Sequence, residues 1–182
     1  MQRILTFLIA GALSAGVFMS AHAVEQPEGY RMEDYDAPVP DEAPGAISIS
    51  DETAFALWRT GRVVIIDVMP DIKKPKGLPE GMKWKGRTRR SMPGALWWPE
   101  VGFGALEPAI EANFKDNLET ATSGDKTAPI LFLCRQDCWM SWNASKRAAT
   151  YGYETVFWYP DGSTGWQFWD HPVEILKRAD GL

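Results

Sequence analysis

The sequence has few of the cysteine and histidine ligands that structural zinc sites use, because its 182 residues include only two of each. His22 belongs to an N-terminal segment described below, so His171 is the only histidine in the remainder of the chain. That remainder cannot supply a Cys2His2 zinc site, and the Cys-x3-Cys-Trp segment that starts at Cys134 lacks the histidine of a haem-attachment motif. The sequence therefore predicts neither a metal nor a cofactor.

Long hydrophobic runs are absent after the first 23 residues. In that segment Arg3 precedes the uncharged run Ile4–Met19 and the small-residue site Ala21-His22-Ala23, which is the pattern of a cleaved secretory signal. No later stretch approaches the roughly 18 apolar residues of a membrane-spanning helix. We expect cleavage after Ala23 and export, most simply to a bacterial periplasm, of a product with no membrane span.

Basic residues are in the minority, and the net charge of the chain is −5. Arg3 is the only charged residue among the first 23, so residues 24–182 carry −6, which argues against binding of nucleic acid. Eight of the 19 lysines and arginines nevertheless lie between Lys73 and Arg90. This segment is rich in Pro and Gly and predicts a long surface loop. Its positive charge could attract an acidic partner or an anionic substrate, and the alternative is a loop that only contributes to solubility.

The hydrophobic pattern predicts one domain of the α/β class. Residues 24–46 contain four prolines and predict an extended arm, and residues 47–182 form the domain. Within the domain, the wholly apolar segments Val63–Ile66 and Pro129–Leu133 and a further predicted strand, Thr155–Trp158, alternate with helical patterns. Strands that are apolar on both faces are typical of a central parallel sheet with helices on both sides.

The two cysteines lie where one of these strands gives way to a predicted helix, Met140–Tyr151. At a strand-to-helix turn, free backbone amides and the positive end of the helix dipole favour a thiolate. Cys134 is therefore the candidate nucleophile, and a structural cysteine is the alternative. Cys138 is close enough to resolve a sulfenate or persulfide on Cys134, or to close a disulfide with it. The sequence leaves open a dithiol, a disulfide or a pair that switches between them.

Three further residues are candidates for the site. Arg135 could stabilise a thiolate or hold an oxyanion, and a solvated surface charge is the alternative. Asp67, at the end of a strand, could orient the cysteine segment or only cap a turn. Trp139, beside the thiols, could contact a substrate or a partner, or pack in the core. Three other polar residues are expected at the surface: Lys146, Arg147 and His171.

Four segments in this order resemble the rhodanese-like (sulfurtransferase) domain. They are ISISDETAFALWRTGRVVIIDV at Ile47–Val68, SMPGALWWP at Ser91–Pro99, the LFLC strand that ends in Cys134, and GYETVFWYPDGSTGW at Gly152–Trp166. The resemblance implies a single rhodanese-like domain, possible sulfurtransferase activity at Cys134 and a small sulfur-containing or thiol substrate. Met69 replaces the Arg of many rhodaneses, and the Gly-x-Arg-Ser run after the cysteine is missing, so we expect weak activity with thiosulfate.

The segment CRQDCWMSWNASKRA also resembles a bacterial family that is named for a CXXCW motif and is associated with PQQ-dependent alcohol catabolism. This resemblance implies a periplasmic PQQ-dependent dehydrogenase system as a partner. Two functions follow. The first is an enzyme in which Cys134 accepts a sulfane sulfur and passes it to a thiol. The second is a non-catalytic binding or redox accessory protein in which Cys134 and Cys138 form a disulfide.

Overall fold

The computed structural model describes residues 24–86 and 88–179, so the predicted signal segment 1–23 lies outside the described residues. Within the described chain, no helix is long and apolar enough to cross a membrane. The elements follow in chain order: β1 (Ile47–Ser48), α1 (Asp51–Thr60), β2 (Val64–Asp67), β3 (Arg89–Ser91), β4 (Leu96–Trp97), α2 (Pro108–Thr122), β5 (Ile130–Leu133), α3 (Trp139–Thr150), β6 (Val156–Tyr159), α4 (Gly162–Phe168) and β7 (Glu174–Leu176).

Five strands form a parallel sheet in the order β1-β6-β5-β2-β4. Every residue of the central strand β5 is buried, which explains its wholly apolar sequence. Phe132 faces a core that includes buried residues of α2 and α3, whereas Leu131 and Leu133 face a core built with α1 and α4. Helices therefore cover both faces of the sheet, and the predicted α/β class is confirmed.

Local signals set the helix ends. Ser50 caps α1, because its hydroxyl accepts a hydrogen bond from the amide of Thr53. Gly61 ends the same helix with a left-handed φ of 62°. Pro108 occupies the first position of α2, where its missing N–H costs nothing. These ends agree with the sequence pattern to within a few residues.

The segment 70–90 is not a loop throughout. Its last two residues begin β3, which pairs antiparallel with β7 to form a second, two-stranded sheet. The sequence pattern also missed the short strand β1 and helix α4. All of these elements are short and depend on partners far along the chain, so a local hydrophobic period does not reveal them.

The arm, residues 24–46, contains no helix and lies across α3. The indole N–H of Trp139 donates to the carbonyl of Pro38 (3.1 Å), and that of Trp142 donates to the carbonyl of Glu42 (3.0 Å). Asn143 exchanges hydrogen bonds with both backbone groups of Arg31. The free carbonyls of an extended chain are thus satisfied by side chains of α3.

The expectation of a surface position is wrong for Arg147, whereas Lys146 and His171 are half-buried. Arg147 is 4% exposed, and its guanidinium donates to the carbonyls of three residues: Val101, Phe103 and Gly104. Lys146 donates to carbonyls of the arm. The ring of His171 stacks on that of Phe55 and contacts the tilted ring of Trp166, with centroid distances of 4.3 and 4.5 Å. Arg147 can be buried because distant backbone carbonyls accept from its guanidinium.

Candidate active site at the cysteine loop

The cysteine loop, residues 134–138, connects the carboxyl end of β5 to α3. Cys134 directly follows β5, and Cys138 is the N-cap residue of the 12-residue helix α3. A disulfide joins the two residues, whose Cα atoms are 6.2 Å apart. Of the states that the sequence leaves open, the structure has the oxidised one. The positive φ of Asp137, 53°, turns the chain back so that a loop this short can close.

The disulfide is shielded from solvent. Cys134 is fully buried, and Cys138 is 3% exposed. The Sγ atom of Cys134 lies 3.6 Å from the Sδ atom of Met69, which follows β2. A disulfide sulfur has no proton to donate, so this is a van der Waals contact between two sulfur atoms. A reactant reaches Cys134 only when a neighbouring side chain moves.

Asp67 connects to the cysteine loop through a second residue, Arg89. Its buried carboxylate forms an ion pair with Arg89, whose Nε donates to Oδ2 at 2.8 Å. The same guanidinium donates to the carbonyl of Cys134 (2.8 Å) and to the hydroxyl of Ser163 (3.0 Å). The other carboxylate oxygen accepts from the amide of Met69. Asp67 therefore orients the arginine that holds the loop.

Burial raises the pKa of the Asp67 carboxyl above its ordinary value, and the charge and hydrogen bonds of Arg89 oppose this shift. The sequence did not single out Arg89, because it stands among other basic residues near the end of a basic segment. Only the pairing of β3 with β7 brings its side chain inward, while the neighbouring Arg90 stays exposed.

The arm lies against the other end of the loop. The backbone of Asp36 pairs with that of Cys138, and the carbonyl of Tyr35 accepts from the amide of Trp139 at 2.9 Å. Arg135, a predicted catalytic residue, forms an ion pair with the side chain of Asp36. The structure thus places the charge of Arg135 beside a carboxylate of the arm. A catalytic role for Arg135 stays a prediction.

Trp139 is 1% exposed, and its neighbours are also residues of the arm. The guanidinium of Arg31 lies 5.1 Å from the centroid of the indole ring. The predicted contact of Trp139 with a substrate or partner stays a prediction, since the structure shows the indole packed against the protein's own chain. Trp158, with no exposed surface, lies in the same cluster.

Helix α4 is the third part of the protein that binds the cysteine loop, after Arg89 and the arm. The amide of Ser163 donates to the carbonyl of Cys134 at 3.0 Å. Gly162 precedes it with a φ of 53°, and a Cβ atom there would lie 2.8 Å from the same carbonyl oxygen. Only glycine allows this close approach of α4 to the loop. The sequence signal for it is the first Gly in the segment PDGSTGW, three residues after the end of β6.

Two cavities flank the cysteine loop. The first has a volume of about 250 Å³ and is lined by six residues among others: Met69, Ile72, Thr88, Arg90, Trp97 and Gln167. The second, of about 300 Å³, lies against the loop at Gln136 and includes Asp161 and the exposed rings of Phe168 and Trp169. Burial, together with the nearby Asp51 and Asp137, raises the pKa of Asp161. The two sides of the loop therefore differ in charge.

No family model matches the chain, and comparison with curated proteins gives no match. Among solved structures, the chain is similar to a thiosulfate sulfurtransferase from Pseudomonas aeruginosa, with 16% identity and a TM-score of 0.50 over 73% of this chain and 21% of that one. A polysulfide-sulfur transferase homodimer from Wolinella succinogenes has 18% identity and a TM-score of 0.43, over 75% of this chain and 82% of that one.

At these identities the likeness concerns the fold. The five-stranded parallel sheet with four helices is an α/β fold similar to that of the matched part of the Pseudomonas structure. The matched region spans about a fifth of the Pseudomonas protein.

Proposed function

We propose that the protein is a sulfur-handling thiol–disulfide enzyme in which Cys134 accepts a sulfane sulfur and Cys138 resolves the product. One observation carries the proposal, namely the disulfide between these residues at the carboxyl end of the central strand β5. In open α/β sheets, ligands bind at the carboxyl ends of the strands. A bond between the two sulfur atoms also means that the loop allows one of them to attack the other.

The reaction starts from the dithiol. The Cys134 thiolate attacks the sulfane sulfur of a donor such as thiosulfate or a polysulfide, and the donor leaves with the electron pair of the broken S–S bond. Cys134 now carries a persulfide. The Cys138 thiolate attacks the Cys134 Sγ atom, the disulfide forms, and the outer sulfur leaves as hydrosulfide. Two external thiols then restore the dithiol and are themselves oxidised to a disulfide.

The position of Cys138 supports this division of roles. As N-cap residue of α3, it lies at the positive end of a 12-residue helix, which favours a thiolate there. The Cys138 side chain accepts no hydrogen bond that would cap this end of the helix. The Asp67–Arg89 pair meanwhile fixes the carbonyl of Cys134 and so keeps the two sulfur atoms within reach of each other.

Persulfide trapping tests the proposal. The reduced protein is mixed with polysulfide, and intact mass and released sulfide are measured. Wild type should release one sulfide per chain and lose two protons, whereas Cys138→Ser should stop at a mass increase of one sulfur. Cys134→Ser should do neither. If wild type releases no sulfide and keeps both thiols, and Cys138→Ser gains no sulfur from thiosulfate, a polysulfide or a persulfide donor, the enzyme proposal is refuted.

A second candidate function is that of a periplasmic redox or binding accessory protein for a PQQ-dependent dehydrogenase system. The low exposure of both sulfur atoms and the arm packed beside them favour it, because a static disulfide needs no access. The resemblance of the CRQDCW segment to the CXXCW family supplies the partner system, and the signal pattern in residues 1–23 supplies the compartment. Protein isolated from the periplasm and alkylated without reduction should then show no labelled cysteine, even after incubation with small thiols.

A further inference from the structure

The first cavity beside the cysteine loop, of about 250 Å³, has features of an entry route to the disulfide. One of its walls is Met69, the residue whose Sδ atom touches the Cys134 Sγ atom at 3.6 Å. The backbone at Met69 is fixed, because its carbonyl accepts a hydrogen bond of 2.6 Å from the indole of Trp97. Its half-buried side chain is unbranched and flexible, so it can move while the backbone stays in place.

Other directions of approach are closed by stronger interactions. Arg89 and the amide of Ser163 both bind the carbonyl of Cys134, and the arm binds the amide of Trp139. Opening the loop from these sides would break backbone or charge-assisted hydrogen bonds. On the cavity side the Cys134 sulfur is in van der Waals contact with Met69. Displacement of Met69 is therefore the least costly way to expose the Cys134 sulfur.

Among the charged side chains that line this cavity, the one without a partner of opposite charge is basic. Arg90 lines the cavity and is exposed, and its guanidinium has no hydrogen bond or ion pair with any other residue that the structure describes. Asp71 also lines the cavity, but its carboxylate pairs with Arg178 at 3.3 Å. The lysine-rich segment 73–85 leaves from the same rim. The second cavity, with Asp161, has the opposite character.

We propose that this cavity admits a small anionic thiol, such as one with a sulfonate or carboxylate group, as the reductant of the disulfide. The inference rests on the proposed function. Arg90 attracts the anionic group, Met69 moves aside, and the thiolate attacks the Cys134 Sγ atom. The bond between the two cysteine sulfurs breaks, its electron pair passes to Cys138, and a mixed disulfide forms on Cys134. A second thiol attacks the mixed disulfide, which leaves the reduced cysteine and an external disulfide.

Reduction rates with three thiols test the charge preference. Oxidised protein is mixed with 2-mercaptoethanesulfonate, 2-mercaptoethanol or cysteamine, quenched with an alkylating agent and weighed by intact mass. Each rate is divided by the rate of the same thiol with a small uncharged disulfide, which removes intrinsic reactivity. The normalised rate should be about two- to fivefold higher for the anion than for the neutral thiol, as expected for an exposed charge pair. It should be lowest for the cation.

Arg90→Gln should abolish this preference and leave the rate with the neutral thiol unchanged. Arg62→Gln is the matched control, because this exposed arginine precedes the amino end of β2, whereas Met69 follows the carboxyl end. The control variant should keep the preference. Salt at 1 M should also abolish the preference in wild type. Met69→Ala should raise the rates with all three thiols, since the side chain that covers the sulfur is shortened.

The two possible failures are distinguishable. Normalised rates that do not depend on thiol charge, or equal effects of Arg90→Gln and Arg62→Gln, would overturn the assignment of the cavity and leave the persulfide test untouched. An unchanged or lower rate in Met69→Ala would overturn the entry route. Absence of sulfur uptake in the persulfide test would instead overturn the proposed function itself.

Discussion

Replacing Arg89 by methionine should destabilise the protein strongly at neutral pH and loosen the cysteine loop. Methionine keeps most of the aliphatic length and removes the charge. Arg89 is 11% exposed and its partner Asp67 is fully buried, so the variant leaves a buried carboxylate without its cation. Breaking a buried pair in this way costs about 3–5 kcal/mol. That is a large part of the roughly 5–15 kcal/mol that stabilises a typical domain.

The loss should depend on pH. Burial already raises the pKa of Asp67 in wild type, and removal of Arg89 raises it further. A group with a raised folded pKa contributes stability below the ordinary value of 3.8, and that contribution is lost as the pH rises through the folded pKa. The variant should therefore lose about 1–2 kcal/mol in acid, where only hydrogen bonds are missing, and more as the pH increases.

Urea unfolding from pH 3.5 to 8 measures this difference. Arg90→Met is the matched control, since the neighbouring arginine is exposed and should change stability by less than about 0.5 kcal/mol. Adding Asp67→Asn to Arg89→Met should recover part of the stability at pH 7, because the stranded charge is gone. A loss in Arg89→Met that is the same at every pH, or below about 1 kcal/mol at pH 7, would refute the assignment of a buried ion pair.

Three further predictions concern other parts of the molecule. Arg147→Met should lower the free energy of unfolding by about 3 kcal/mol in urea, because three carbonyls lose a buried charged donor. Gly162→Ala should speed reduction of the disulfide by a small thiol, measured by alkylation and mass, since the added methyl group forces α4 away from the Cys134 carbonyl. Mass spectrometry of the exported protein should find Val24 at its N-terminus, and a retained Met1 would refute the signal assignment.

Much of the fold was predictable because the central strands are apolar on both faces. That pattern gave the parallel sheet, and it placed Asp67 and Cys134 at strand ends on the same edge. The pairing of β3 with β7 was not predictable in the same way. Arg90 and Ile175 lie opposite each other in this pairing, yet they are far apart along the chain and neither segment has an alternating pattern long enough to indicate a strand.

The charged residues of α3 show why the candidate site was harder to predict than the fold. In sequence, Lys146 and Arg147 look like ordinary helix-surface charges. Their donors instead satisfy carbonyls of irregular segments, namely the arm and residues 101–104, which have no strand partner to accept from. The tryptophans of α3 follow the same rule. A sequence shows that an indole N–H needs an acceptor, but only the folded chain shows that the acceptor belongs to the arm.

The two ends of the disulfide differ, and the difference sets a direction for its chemistry. The Cys134 sulfur is fully buried beside Met69, whereas Cys138 begins a helix. Attack on Cys134 sends the electron pair to Cys138, where the helix N-terminus favours the thiolate that leaves. Attack on Cys138 would instead send the electron pair to Cys134, which does not lie at the N-terminus of a helix. External thiols should therefore form their mixed disulfide with Cys134, the residue that accepts sulfur in the proposed reaction.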